Sequence, residues 1–364
     1  MSATAEKTIL PINVGPLNGL GSLCFHAAKT LSHFSDLYRE GHVPKVVWDL
    51  RNVQPRHMSM AGLTAFLATA YRLRKFTTNA PSVQVSWNPQ VFSFWEDISL
   101  FRIVSEHDIF RWPDAVTGGS WFGDTNPNTE LLMFEYKEHV PDRSDNLDYW
   151  KTWKDTVRQK FKDLLLLRCG RLFESTWRSI DFPEKLKDQV AVASAELVVN
   201  SILWGGSAAF VGLQRTSNGI TVAVCDSGHG FFHSLYAQES SKQKVYPQNN
   251  LEALVIGSLI NTREYGLRRV INTVIQNGGK VLMSSYDSEL HWKEPLWMRI
   301  QQATIETEGR PVDLGMLTQT IGSPVTGSPT DEDRRDGFCR LWNYGLRGVR
   351  IAFEIPLRRE EQFR

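Results

Sequence analysis

Ala195-Glu196-Leu197-Val198-Val199-Asn200-Ser201 sets an acid and an amide four residues apart in otherwise apolar sequence. Pro183 favours a first helical turn. Leu186, Val190, Ala193 and Leu197 keep helical spacing, so a helix is predicted from Pro183 to Trp204. Glu196 and Asn200 then share one face. An acid and an amide on the sheltered flank of a helix are costly without partners. A Mg²⁺ ion carrying a phosphate chain would supply them. Asn offers the metal a hard carbonyl oxygen, and Glu can polarise an attacking water or hydroxyl. A solvated or capping i,i+4 pair is the plainer alternative.

The next segments sharpen the choice. Ala208–Gln214 reads as a strand, Ser217-Asn218-Gly219 as a tight turn and Ile220–Cys225 as a buried strand. Asn-Gly between two apolar runs signals a hairpin. The second strand runs into Asp226-Ser227-Gly228-His229-Gly230. A carboxylate at a strand end can accept a hydrogen bond from an adenine amino group. Gly228 and Gly230 let backbone approach a flat base closely. An ordinary Asp/Gly turn is the alternative. Tyr265-Gly266-Leu267 then opens a helix that stops at Gly278-Gly279, ahead of a strand at Lys280–Ser285. A glycine at a helix start exposes N–H groups that suit phosphate. Arg263 and Arg268 lie close by as cations, although a solvated helix face explains them equally.

Upstream, residues 7–112 alternate between strand and helix patterns. Strands are predicted at Thr8–Val14, Val43–Leu50 and Val83–Trp87, and helices at Leu20–Leu37, Ala61–Lys75 and Phe92–Leu100. This is a βαβα unit. The composition turns to Gly, Asn and Pro between about residues 113 and 145, which reads as a joint carrying an extra strand at Leu131–Tyr136. A long helix is predicted over Leu147–Thr176, its Trp150, Trp153, Val157, Phe161 and Leu165 forming a core stripe or a dimer seam. Residues 309–336, rich in Gly, Pro, Ser, Thr and Asp, read as a mobile insertion. The expected fold class is α/β, with two domains. Residues 1–125 form the first, 126–145 a linker, and 146–364 the second with an insertion at about 288–345.

Composition excludes several classes. The 364 residues carry 41 Lys+Arg against 40 Asp+Glu, so nucleic-acid binding is not indicated by charge. Cys24, Cys169, Cys225 and Cys339 are scattered, with neither a disulfide framework nor zinc spacing. No apolar run reaches membrane-spanning length, no signal peptide is evident, and a cytoplasmic location is the simplest. His229 and His233 lack a third ligand. Gly322–Ser328 has a phosphate-loop frame without the lysine.

Taken in order, Glu196 to Asn200, Asp226 to Gly230, Glu264-Tyr265-Gly266-Leu267 and Gly348–Pro356 resemble the motifs of the Bergerat-fold ATPases. That superfamily holds gyrase, the heat-shock chaperone ATPase, histidine kinases and MutL. The resemblance spans roughly residues 183–356. It implies ATP and Mg²⁺ as cofactors. Glu196 would be the general base, Asn200 the metal ligand and Asp226 the adenine anchor. Gly228, Gly230, Arg263, Gly266 and Leu267 would line the nucleotide. Glu264 and Val349 depart from the family's usual Gly and Thr. More weakly, Val46–Leu50 followed by Met58–Leu63 resembles the STAS domain of anti-sigma factor antagonists. Met60 stands where that family has its phosphoserine, and Ser59 is read as a helix N-cap. The combination implies an ATP-binding regulator similar to anti-sigma-type serine kinases, with a protein partner of regulator or transcription-factor type and scope for a homodimer. No histidine occurs between residues 140 and 228, which argues against a self-contained histidine kinase. Two alternatives are an ATPase switch without a protein substrate and a non-hydrolysing nucleotide sensor.

Overall fold

Val46, Val47 and Trp48 form an unbroken apolar run, the pattern of a strand covered on both faces, and they centre the first of two sheets. The computed structural model describes residues 9–54, 58–117, 128–135, 141, 146–174, 184–216, 219–237, 246–259, 266–306 and 313–356. The first sheet is parallel, with strands β1 (Ile9–Asn13), β2 (Lys45–Asp49) and β3 (Ser82–Gln84) in that order. The helices Ala28–Arg39 and Met60–Arg74 make its crossovers. Spacing predicts one helix over Leu20–Leu37, but Ala27 (φ −109°) divides it into Ser22–His26 and Ala28–Arg39. Ser59 caps the Met60–Arg74 helix as expected, its Oγ accepting the Gly62 N–H at 3.0 Å.

The second sheet is antiparallel. Its strands are β4 (Thr129–Phe134), β5 (Ala209–Arg215), β6 (Gly219–Asp226), β7 (Lys280–Trp292) and β8 (Phe338–Pro356), ordered β4-β5-β6-β8-β7. The expected hairpin is there, with Arg215 paired to Ile220 and Ala209 to Asp226. β4 is the extra strand expected at Leu131–Tyr136, set two residues earlier, and its pairing with β5 along its length makes the segment read as a linker part of the sheet. The chain is thus α/β with one parallel and one antiparallel sheet.

Each face of the antiparallel sheet is covered. Val211, Leu213, Val222, Val224, Ile351 and Phe353 point to one core, which also holds Phe161, Leu165, Val190, Leu197, Ile271 and Val274 from the helices Leu147–Glu174, Glu184–Leu203 and Leu267–Gln276. Phe210, Ala223, Cys225 and Ala352 point to the other core, with Leu63, Phe66 and Leu67 of the Met60–Arg74 helix. The aromatic stripe of the long helix is therefore core: Trp150, Val157, Phe161 and Leu165 are buried.

Downstream, β7 and β8 extend well past the lengths predicted, carrying the helices Glu294–Glu306, Leu314–Ile321 and Asp331–Asp336 between them. The segment read as a mobile insertion thus contains two of these helices. The polar residues that suggested a loop act as caps: Asp313 accepts from the Met316 N–H, and Thr330 and Asp333 form a capping box. Among the described residues, no helix is long and apolar enough to cross a membrane.

Candidate functional site

The helix Glu184–Leu203 presents Val190, Ala193 and Leu197 to the sheet, as its spacing predicts. Glu196 is buried and is held by a residue that sequence reasoning missed. Arg158, on the preceding long helix, donates from Nε to Glu196 Oε2 at 2.6 Å and also reaches Asp155. The side chains of Arg158 and Glu196 are only 7% and 8% exposed. A signal was present: Arg158 falls on the stripe that runs through Trp150, Lys154, Phe161 and Leu165. A cation at such a position needs an anionic partner. Asn200, one turn beyond Glu196, is half-buried, and its carbonyl accepts the N–H groups of Trp204 and Gly205 as the helix ends.

Asp226 closes β6 and is 2% exposed. Its Oδ1 accepts the Gly228 N–H at 2.8 Å and the Val349 N–H at 3.1 Å. Burial raises its pKa, opposed by those two bonds, by a hydrogen bond from Ser201 and by the Arg350 charge. Gly228 lies against the turn that follows the Glu196 helix. A Cβ there would collide with the Gly205 carbonyl, so only glycine fits. The His229 N–H donates to that same carbonyl at 3.1 Å. Gly230 starts the helix Gly230–Ala237. The Asp226 turn and the end of the Glu196/Asn200 helix are thus braced together.

Gly266 caps the helix Leu267–Gln276 with φ +137°, backbone that a side chain would strain. Leu267 is buried in the core beneath it. Gly266 and Glu196 line one cavity of about 270 Å³, shared with Asp188, Gln189, Arg269 and Asn272. That is slightly below the roughly 300–1,000 Å³ of a typical small-molecule site. Asn200 and Asp226 do not line it. Arg263 lies outside the described residues. A larger cavity of about 610 Å³ opens at the opposite end of β6, beside Thr216, Lys280, Lys293, Arg335 and Glu354. Its charges are largely matched, Lys280 with Glu354 at 2.8 Å and Arg335 with Asp336 at 2.8 Å, and of the motif segments it touches only the end of Gly348–Pro356.

A second residue beyond the sequence motifs touches the site. Arg72, from the Met60–Arg74 helix, donates from Nη1 to the Ser227 carbonyl at 2.7 Å. No local pattern signals this contact, because 155 residues separate the two. Among the described residues, no group of three His, Cys, Asp or Glu side chains is arranged to hold a metal ion. Comparison with protein-family models, curated proteins and solved structures finds no match to this chain.

Proposed function

We propose that the chain is an intracellular, cytoplasmic regulator that binds Mg-ATP and resembles anti-sigma-type serine kinases. In this reading a Bergerat-type ATP-binding domain follows a STAS-like unit, and a protein partner receives or reads the signal. The observation that carries the reading is the convergence of Glu196 and Gly266 on one cavity, with the Asp226 turn braced against the end of the Glu196 helix. The donor types suit the ligand, with Asn200 and Asp226 standing outside that cavity. Mg²⁺ keeps most of its water and takes few protein groups besides phosphate oxygens, so the Asn200 amide is a sufficient side-chain ligand. The Asp226 carboxylate would accept from the adenine amino group, and Arg269 faces the cavity as a cation for phosphate. Bound Mg-ATP supplies an electrophilic phosphoryl group, whose transfer depends mainly on positioning and charge neutralisation. Glu196 would take the proton of the attacking hydroxyl. Arg158 occupies Oε2, so this role needs Oε1 or release of the pair.

That ion pair favours one second reading, a nucleotide sensor that binds ATP without turning it over. Incubation of the full chain with Mg-ATP separates the two, with free phosphate and intact mass as readouts. Phosphate release, or a mass gain of one phosphoryl group on the chain or a supplied partner, is expected for the enzyme. ATP binding with neither signal is expected for the sensor. Failure to bind ATP at all contradicts both.

A further inference from the structure

Away from the cavity, four cationic or protonatable side chains gather where the N-terminal unit meets the glycine turn. Arg72 comes from the Met60–Arg74 helix, His229 from the turn, His233 from the first turn of the Gly230–Ala237 helix, and Arg347 from the bend of β8. Three contacts bring them together. Arg72 is fixed by its bond to the Ser227 carbonyl. The His229 and His233 rings lie 4.7 Å apart. At the bend, Gly348 sits so close to Asp226 and Ser227 that a Cβ would strike their backbone, which delivers the neighbouring Arg347 to the turn.

None of the four makes an ion pair among the described residues. Nearby arginines behave differently. Arg74 is paired with Asp108, and Arg350 is spent on the Leu346 and Arg347 carbonyls and Ser284 Oγ. A general basic excess does not explain the cluster, since the chain is balanced at 41 against 40 charges. Burial lowers the His229 pKa, and then His233, Arg72 and Arg347 lower it further, so every charge acting on this imidazole is positive. Arg72 is likewise lowered by burial and by Arg347. Like charges held together this way destabilise the fold until an anion joins them. Arginine forks and imidazole N–H groups match tetrahedral oxyanions in geometry and charge.

We propose that Arg72, Arg347, His229 and His233 form a binding site for a phosphate group at the seam between the N-terminal unit and the glycine turn. The phosphate is either part of a nucleotide seated beside the turn or a separate phosphate-bearing ligand. Through Arg72 the Met60–Arg74 helix also holds the Ser227 carbonyl, one residue from Asp226.

The test is calorimetric titration of the full chain with inorganic phosphate, against chloride at matched ionic strength. Saturable phosphate binding is expected. Arg347→Ala and His233→Ala, both at exposed positions, are each expected to weaken it about tenfold or more, the equivalent of one charged hydrogen bond. No binding above the chloride control overturns the proposal, as does binding that both variants leave unchanged. Repeating the titration with Mg-ATP present identifies the source. Competition assigns the site to the nucleotide's phosphates, and simultaneous binding assigns it to a separate ligand. Phosphate binding by a chain that fails to bind Mg-ATP upholds this site and overturns only the nucleotide reading.

Discussion

The two faces of the antiparallel sheet are built from opposite residue sizes. On β5, β6 and β8 the face toward the Glu196 helix carries Val211, Leu213, Val222, Val224, Ile351 and Phe353. The face toward the Met60–Arg74 helix carries Gly212, Ala223 and Ala352 beside Phe210 and Cys225. Large side chains hold the helices of the first face off the sheet, and Glu196, Arg158 and a cavity lie among those helices. Small side chains let the Met60–Arg74 helix press close to β5 and β6 on the second face, where the helices Ser22–His26 and Ala28–Arg39 pack on β8. A Cβ at Gly212 would stand 2.8 Å from Thr64 Cγ2 and 3.0 Å from Met60 Cβ. Glu196, Arg158 and the cavity belong to the first face, whereas the second is closely packed at Gly212. Arg72 links them by reaching around to Ser227.

The largest expected effect comes from the first face. Arg158→Ala leaves a buried, unpaired carboxylate and is expected to cost about 3–5 kcal/mol in urea unfolding. The double change Arg158→Met with Glu196→Leu is expected to recover most of that loss, since a buried pair can be replaced by apolar side chains of similar volume. A cost below about 1 kcal/mol for the single change would mean that the pair is solvated and this face is not polar inside. On the second face, Gly212→Val forces extra methyl groups between β5 and the helix, and about 1–3 kcal/mol is expected. An unchanged unfolding midpoint would show that the backing helix is loose. Ser59→Ala removes the cap of that same helix and is expected to cost about 1 kcal/mol.

The smallest expected effect is a dependence on pH. Asp226 has a folded pKa raised above its ordinary 3.8. Between those two values the folded chain binds more protons than the unfolded one, so stability falls as pH rises through that window. Asp226→Asn keeps an oxygen for the Gly228 and Val349 N–H groups and has no charge to bury. Thermal unfolding followed across pH is expected to show this decline in the native chain and to lose it in the variant. An identical pH profile in both would remove Asp226 from the balance.

Much of this architecture was legible in the residues. The apolar run from Val46 marked the central parallel strand, alternation marked the strand at Val83, and Asn218-Gly219 marked the hairpin. The 186, 190, 193, 197 spacing oriented the helix that carries Glu196. Ser59 read correctly as a cap because capping is local chemistry. Long-range contacts were not legible. Nothing near Arg158 in sequence names Glu196, and nothing near Arg72 names Ser227, because each pairing depends on how separate helices dock. The caps at Asp313 and Thr330 were present in the sequence but were read as loop formers, since the same residue types serve both ends.

Equilibrium binding of Mg-ATP, compared between the native chain and Asp226→Asn, tests the nucleotide reading most directly. Oδ1 of either residue accepts the two backbone N–H groups, so in the variant an amide N–H₂ would face the adenine amino group, donor against donor. Saturable binding by the native chain, lost in a variant that stays folded, is the expected result. Absence of binding by the native chain at millimolar Mg-ATP, or equal affinity in the two, would contradict it.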